Sequence, residues 1–204
     1  MKPIVLAAFA FTLVILPGAA QELSKEEKAA GFQALFNGKD LTGWKYLGKG
    51  AGTFSVKDGA IHYKGGNGWL CYEQEEFPDF ELRCEFRLLK KGGDGGIFFR
   101  ASNDAKGANW PSQRYELQVK DYAEQGRLWN LPYKLDKEKV AKARKPGEWE
   151  TYRLVVRGNE VSAYLNGELV VTSEQAKPQK QNFIGLQAEG GEQEFRNLRI
   201  KLLK

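Results

Sequence analysis

The chain has 204 residues, enough for one sizeable core without a metal or disulfide framework to staple it. Its 31 basic and 26 acidic residues are interspersed, and the net charge of +5 falls to +4 when Lys2 is set aside with the leader described below. Nucleic-acid binding would need a basic stripe on a recognisable module, which is absent, and the single histidine, His62, speaks against Cys–His nucleophiles and Cys/His zinc sites.

In chain order, residues 1–20 read as a secretory signal peptide. Lys2 supplies the positive end, Ile4 to Leu16 is almost wholly apolar, and Pro17-Gly18-Ala19-Ala20 gives small residues at the cut. The run is shorter than the roughly 20 apolar residues a membrane span requires. The expectation is export to the periplasm or the medium, with no stable membrane span. Residues 21–30 then form an N-terminal appendage and residues 31–204 one domain. A short helix is predicted over residues 24–34, capped by Ser24, with Glu26 and Glu27 in its first turn and Gly31 near its end.

Beyond it the pattern is strands punctuated by glycine and asparagine. Residues 53–56 and 60–63 flank Asp58-Gly59, a strong hairpin pair. Residues 69–73 are the next strand, and Phe80–Leu88 alternates cleanly, with Glu81, Arg83, Glu85 and Arg87 on one face and Phe80, Leu82, Cys84, Phe86 and Leu88 on the other. A turn near Phe77-Pro78 would set Cys71 and Cys84 across an antiparallel pair, where a disulfide and two buried thiols both remain open. The GGDGG run at residues 92–96 lacks the lysine-serine/threonine end of a phosphate loop and reads as a turn-rich break. Strands follow at residues 97–100, Tyr115–Lys120, Glu150–Arg157, 161–165, 183–189 and 195–203, with a hairpin at Asn166-Gly167. The basic segment over residues 134–145 reads as a solvated loop or short helix. Many short antiparallel strands with glycine-rich turns predict an all-β, two-sheet antiparallel sandwich with a short N-terminal helix.

The stretch RYELQVKD, residues 114–121, concentrates the functional signal. Tyr115, Leu117 and Val119 alternate with Glu116, Gln118 and Lys120, so the polar set lines the face opposite the core. If the strands at residues 97–100 and 183–189 neighbour it, Arg100, Glu116, Gln118, Lys120, Gln187 and Glu189 share one polar face. Carboxylates, amides and arginine suit the directional hydroxyls of a sugar, and Trp110, Trp129 and Tyr133, in the long connections, are candidates to stack on a sugar ring or to pack. Glu116 is the candidate acid or base, paired with Asp121 or Glu189. Gln118 is assigned to binding. His62 is assigned a structural or exposed role. No cofactor is expected to be required; a divalent cation such as calcium is the ion that oxygen ligands of this kind suit best.

The opening GFQALFNGKDLTGW, residues 31–44, closely resembles the start of the 3-keto-disaccharide hydrolase domain family. DFELR at residues 79–83, GGIFFR at 95–100, YELQVKD at 115–121, PGEWE at 146–150, LNG at 165–167 and EFRNLRI at 194–200 continue the resemblance in order, over nearly all of residues 31–203. The resemblance implies a concanavalin A-like jelly roll, export, and cleavage of the glycosidic bond of a disaccharide or glycoside already oxidised to a ketone at C3 by a separate oxidoreductase. The ketone acidifies the C2 proton, so a base can remove it, the C1 leaving group departs, and water adds; direct acid-assisted hydrolysis is the alternative. On that reading Glu116 is the base, Asp121 orients it or assists proton transfer, and Arg100 or Lys120 faces the developing oxyanion. The chain departs from the family at Gln187-Ala188-Glu189-Gly190, where many members resemble Gln-X-His-Gly. A noncatalytic carbohydrate-binding module is the rival reading, since one fold serves both.

Overall fold

A computed structural model describes residues 22–48, 53–104, 109–121 and 125–204. The expected leader at residues 1–20 lies outside them. Helix α1 (Lys25–Ala29) opens the described chain. It is followed by strands β1 (Gln33–Ala34), β2 (Trp44–Leu47), β3 (Thr53–Lys57), β4 (Ala60–Lys64), β5 (Gly68–Tyr72), β6 (Phe80–Leu88), β7 (Asp94–Ala101), β8 (Tyr115–Lys120), β9 (Leu128–Trp129) and β10 (Lys134–Leu135). Helix α2 (Lys137–Ala143) precedes β11 (Glu150–Arg157), β12 (Glu160–Leu165), β13 (Glu168–Ser173), β14 (Phe183–Gly190) and β15 (Glu192–Leu202).

The strands form two antiparallel sheets. One runs β10-β13-β12-β11-β6-β15-β4-β3, with β1 also paired to β15; the other runs β2-β5-β14-β7-β8-β9. Turn chemistry places several of the strands. Asp58 and Gly59 take φ of 49° and 74°, and Asn166 and Gly167 take 48° and 91°. Two successive positive φ values match the twist of tight hairpins, and Asx-Gly is the pair that adopts them at least cost.

Alternation then builds the core. Phe80, Leu82, Cys84 and Phe86 of β6 face Ile97 and Phe99 of β7, Leu117 and Val119 of β8, and Ile184 and Leu186 of β14, all buried in one cluster. Each large side chain so buried contributes about 1.5–3 kcal/mol. The other face of β6 is a charge ladder: Glu81 meets Arg83 at 2.7 Å and Arg153 at 2.9 Å, Glu85 meets Arg196 at 2.7 Å, and Arg87 meets Glu194 at 2.6 Å.

Two expectations change. Helix α1 carries the Ser24–Glu27 capping box but stops at Ala29, well short of residue 34, because Gly31 turns to φ 83° and β1 pairs with β15 from Gln33 onward. Cys71 and Cys84 do not sit across a hairpin: β5 and β6 belong to different sheets. Cys84 packs in the main core and Cys71 in a smaller cluster with Trp69, Phe98 and Ala101; both are free thiols, pushed up to about 12 by burial. The basic segment at residues 134–145 does hold a short helix, α2, capped by Asp136, with the two-residue β10 before it.

Candidate functional site

The second sheet sets β14, β7 and β8 side by side, which is the adjacency the polar face needs. Gln187 of β14 and Gln118 of β8 both register with Gly96 of β7, and Lys120 registers with Asp94. The resulting cleft, about 340 Å³, lies on the face turned away from the core and is bounded by Asp94, Trp110, Arg114, Glu116, Gln118, Lys120, Trp129, Asn130, Gln187 and Glu189.

Two glycines make the cleft possible. A Cβ on Gly96 would lie 2.6 Å from Glu116 Oε1, so the missing side chain is the space that the carboxyl occupies. On the other face, a Cβ on Gly95 would lie 2.0 Å from Gln193 Nε2. Gln193, wholly buried on β15 of the facing sheet, uses that gap to reach the carbonyls of Asp94 and Gln187 at 3.3 and 3.4 Å. From the same side Tyr152 donates to the Gln118 carbonyl at 3.0 Å, so β8 is pinned from beneath.

Glu116 is 4% exposed, and its Oε1 is buried without a hydrogen-bond partner. Burial pushes its pKa up to about 8; Arg114 and Lys120 oppose the shift, and Glu189 and Asp94 add to it. Glu189 is also raised, by burial first and by Asp94 next, and accepts from Gln187 Nε2 at 3.1 Å. Gln187 Oε1 is a second buried acceptor without a partner. Gln118 is engaged on both ends: its Nε2 donates to Asp94 Oδ1 at 2.6 Å and to the Gly95 carbonyl at 3.0 Å, and its Oε1 accepts from Trp129 Nε1. Lys120 Nζ lies 2.8 Å from Asp94 Oδ2. An ion pair, an amide and an indole therefore run in sequence along one wall. Trp129 stands 39% exposed at the rim with the Arg127 guanidinium 4.2 Å from its ring centroid, and Trp110 packs edge-on against Phe98 at 6.0 Å.

Seven expected residues thus meet in the cleft: Glu116, Gln118, Lys120, Gln187, Glu189, Trp110 and Trp129. Three do not. Arg100 takes φ 48° at an irregularity in the β14–β7 pairing, which ends the alternation. Its wholly buried guanidinium donates to the Pro78 carbonyl at 3.0 and 2.9 Å, to Asp79 Oδ1 at 2.9 Å and to the Ala176 carbonyl, so it ties strand ends together instead of meeting a ligand. Asp121 follows the parity of Leu117 and Val119; its carboxylate accepts from Gly92 N at 3.1 Å, lies 3.7 Å from Arg144 and borders a separate hollow. Tyr133 packs against the core beside Pro132 and Ser173. Asp94, Arg114 and Asn130 join the cleft unforeseen. Arg114 had a legible signal, standing two residues before Glu116 in the same alternating row. Asp94 was hidden in a glycine run that reads as a turn. His62 is structural, 3.0 Å from Glu192. Among the described residues, no group of three or more His, Cys, Asp and Glu side chains is arranged to hold a metal ion, and no helix is long and apolar enough to cross a membrane.

A jelly-roll sandwich with a polar, aromatic-rimmed cleft on one sheet places the chain in the carbohydrate-active class, hydrolase or lectin-type. Within that class it belongs to the 3-keto-alpha-glucoside-1,2-lyase-like domain family, whose model matches residues 31–201. A 3-keto-disaccharide hydrolase of Bacteroides thetaiotaomicron is 26% identical to it over 86% of this chain and 79% of that protein. The fold is shared with a candidate glycosyl hydrolase of Parabacteroides distasonis, at TM-score 0.74 and 22% identity over 91% of this chain and 100% of the other. It is also shared with the carbohydrate-binding module CBM66 of Bacillus subtilis, at TM-score 0.57 and 16% identity over 78% of this chain and 95% of that module.

Proposed function

We propose that the protein cleaves the glycosidic bond of 3-keto-glycosides by proton abstraction at C2, elimination at C1 and hydration of the product. The observation that carries this reading is Glu116: a buried carboxyl with an unpartnered oxygen at the floor of the cleft, its pKa raised to about 8. A base matched to a weakly acidic C–H proton near neutral pH has this character. In its ionised form Glu116 takes the C2 proton, and the C–H electron pair moves toward the C3 carbonyl. The enolate then expels the oxygen at C1, which leaves with a proton, and water adds its oxygen at C1 and a proton at C2. The family's description as a 1,2-lyase-like domain supports elimination across C1–C2 over direct hydrolysis. Glu189, in the histidine position of the family, faces the same cleft and is the second proton-transfer group of the scheme. The ketone must come from an oxidoreductase acting at C3, and the apolar run at residues 4–16, read as part of a secretory leader, supports a reaction outside the cytoplasm. No step calls for a metal; calcium enters as an assay variable.

The test is product formation by purified protein from 3-keto disaccharides, with and without calcium, against unoxidised disaccharides and a folded Glu116→Gln variant. Turnover confined to the keto sugars and lost in the variant is the expected result. A specific glycan complex without product across linkages would move the protein to the binding-module reading, which the likeness to CBM66 supports.

A further inference from the structure

Among the residues that line the cleft, three buried polar atoms lack a hydrogen-bond partner: Glu116 Oε1, Gln187 Oε1 and Arg114 Nε. Orphaned buried groups cost stability, so in a functional cleft they describe the ligand that would satisfy them. Two are acceptors and fit donors, while the third is a donor and fits an acceptor oxygen.

Arg114 is held for that role. It stands immediately before β8, two residues from Glu116, and lines the same cleft. Its Nη1 donates to the Pro111 carbonyl at 3.0 Å, and its guanidinium lies over the Phe98 ring at 5.3 Å. Those two contacts fix the plane of the fork and leave Nε unpaired. Burial draws its pKa down while the charges of Glu116 and Glu189, which line the same cleft, draw it up. The two arginine and lysine groups expected for an oxyanion are otherwise engaged: Arg100 on backbone carbonyls and Asp79, Lys120 on Asp94.

Resting on the reaction proposed above, we infer that Arg114 reads the ketone: its Nε–H donates to the C3 carbonyl oxygen and holds the negative charge that this oxygen gains when Glu116 removes the C2 proton. The bond broken is C2–H, the proton goes to the Glu116 carboxylate, and the electron pair becomes the C2–C3 double bond with charge on the oxygen beside Arg114. Arg114 is then the specificity determinant between a 3-keto sugar and its parent, in which a hydroxyl replaces the ketone.

The experiment measures binding in a Glu116→Gln background, where turnover does not intrude. Calorimetry compares a 3-keto-α-glucoside with the same glucoside unoxidised, for Arg114 intact, for Arg114→Met, which keeps the bulk over Phe98, and for Arg114→Lys. Thermal unfolding checks that each variant is folded. With Arg114 intact the keto sugar should bind more tightly, and Arg114→Met should reduce that preference roughly tenfold to a hundredfold, the range of a charge-assisted hydrogen bond, with Arg114→Lys between. Added guanidinium should restore part of the preference in Arg114→Met. No keto preference with Arg114 intact, or an equal loss of affinity for both sugars in the variants, would overturn the assignment. The reaction itself fails on a different result, absence of turnover by the wild-type protein, which the binding ratio does not depend on.

Discussion

Glu116 gathers more of the chemistry than any other side chain, and its behaviour with pH follows from where it sits. In the proposed reaction the ionised carboxylate is the base, so kcat/KM should rise about tenfold per pH unit below 8 and level above it, as read from a pH–rate profile. Stability runs the other way. The folded pKa of about 8 lies above the ordinary 4.5, so between these values the folded protein holds a proton that the unfolded chain has released. Wild-type stability therefore falls through that window by up to ~1.4 kcal/mol per pH unit. Glu116→Gln has no such proton to lose. The variant should be inactive yet gain stability over wild type from pH 4.5 to 8 in parallel urea titrations; an unchanging difference would contradict the burial of the charge. Gly96→Ala tests the space beside it. The new Cβ would fall within 2.6 Å of Oε1 and 2.8 Å of Cγ, both in a side chain that can swing away. The expected outcome is a folded protein with kcat reduced about a hundredfold, because an ångström of misplacement is enough.

Elements position these residues, and their legibility varied with length. β6, β8 and β11 could be read to the residue because six or more positions of alternation declare a face. β9 and β10 hold two residues each, too few to show a period, and exist because β8 and β13 offer them an edge. β7 begins in a glycine run that reads locally as a turn, yet it is extended because β14 and β8 pair with it on both sides. The end of β7 shows the reverse: alternation would send Arg100 to the cleft face, but a positive φ and broken pairing turn it to the carbonyls of Pro78 and Ala176. Arg100→Met should consequently destabilise the protein by about 3 kcal/mol in denaturant titration, since buried carbonyls and Asp79 lose a charged donor. Keto-sugar affinity of the folded fraction should be preserved, because Arg100 does not line the cleft.

At the scale of the whole molecule, the two sheets decide what the two cysteines can do. Cys84 faces the core between the sheets, while Cys71 faces the cluster on the far side of the second sheet. Thermal unfolding should be unchanged by a reducing agent, and a thiol reagent should find two thiols in the denatured protein while reacting slowly with the native one. A melting temperature that falls on reduction would contradict this placement. The sandwich also gives its faces different work: one outer face is a closed ladder of ion pairs between Glu81, Glu85, Glu194 and their arginines, the other holds a cleft with unmatched polar atoms.

The sequence by itself determined the all-β class, the hairpins at Asp58-Gly59 and Asn166-Gly167, and the polar row of β8, because period, turn chemistry and side-chain parity are local properties carried by adjacent residues. Its ordered motifs also indicated the family. Only the tertiary structure decided that β14, β7 and β8 are neighbours, that Gly96 leaves room for the Glu116 carboxyl, and that Arg114 rather than Arg100 reaches the cleft. Those facts depend on which strands pair and where pairing breaks, and such non-local contacts are fixed by the burial of both sheets against one another.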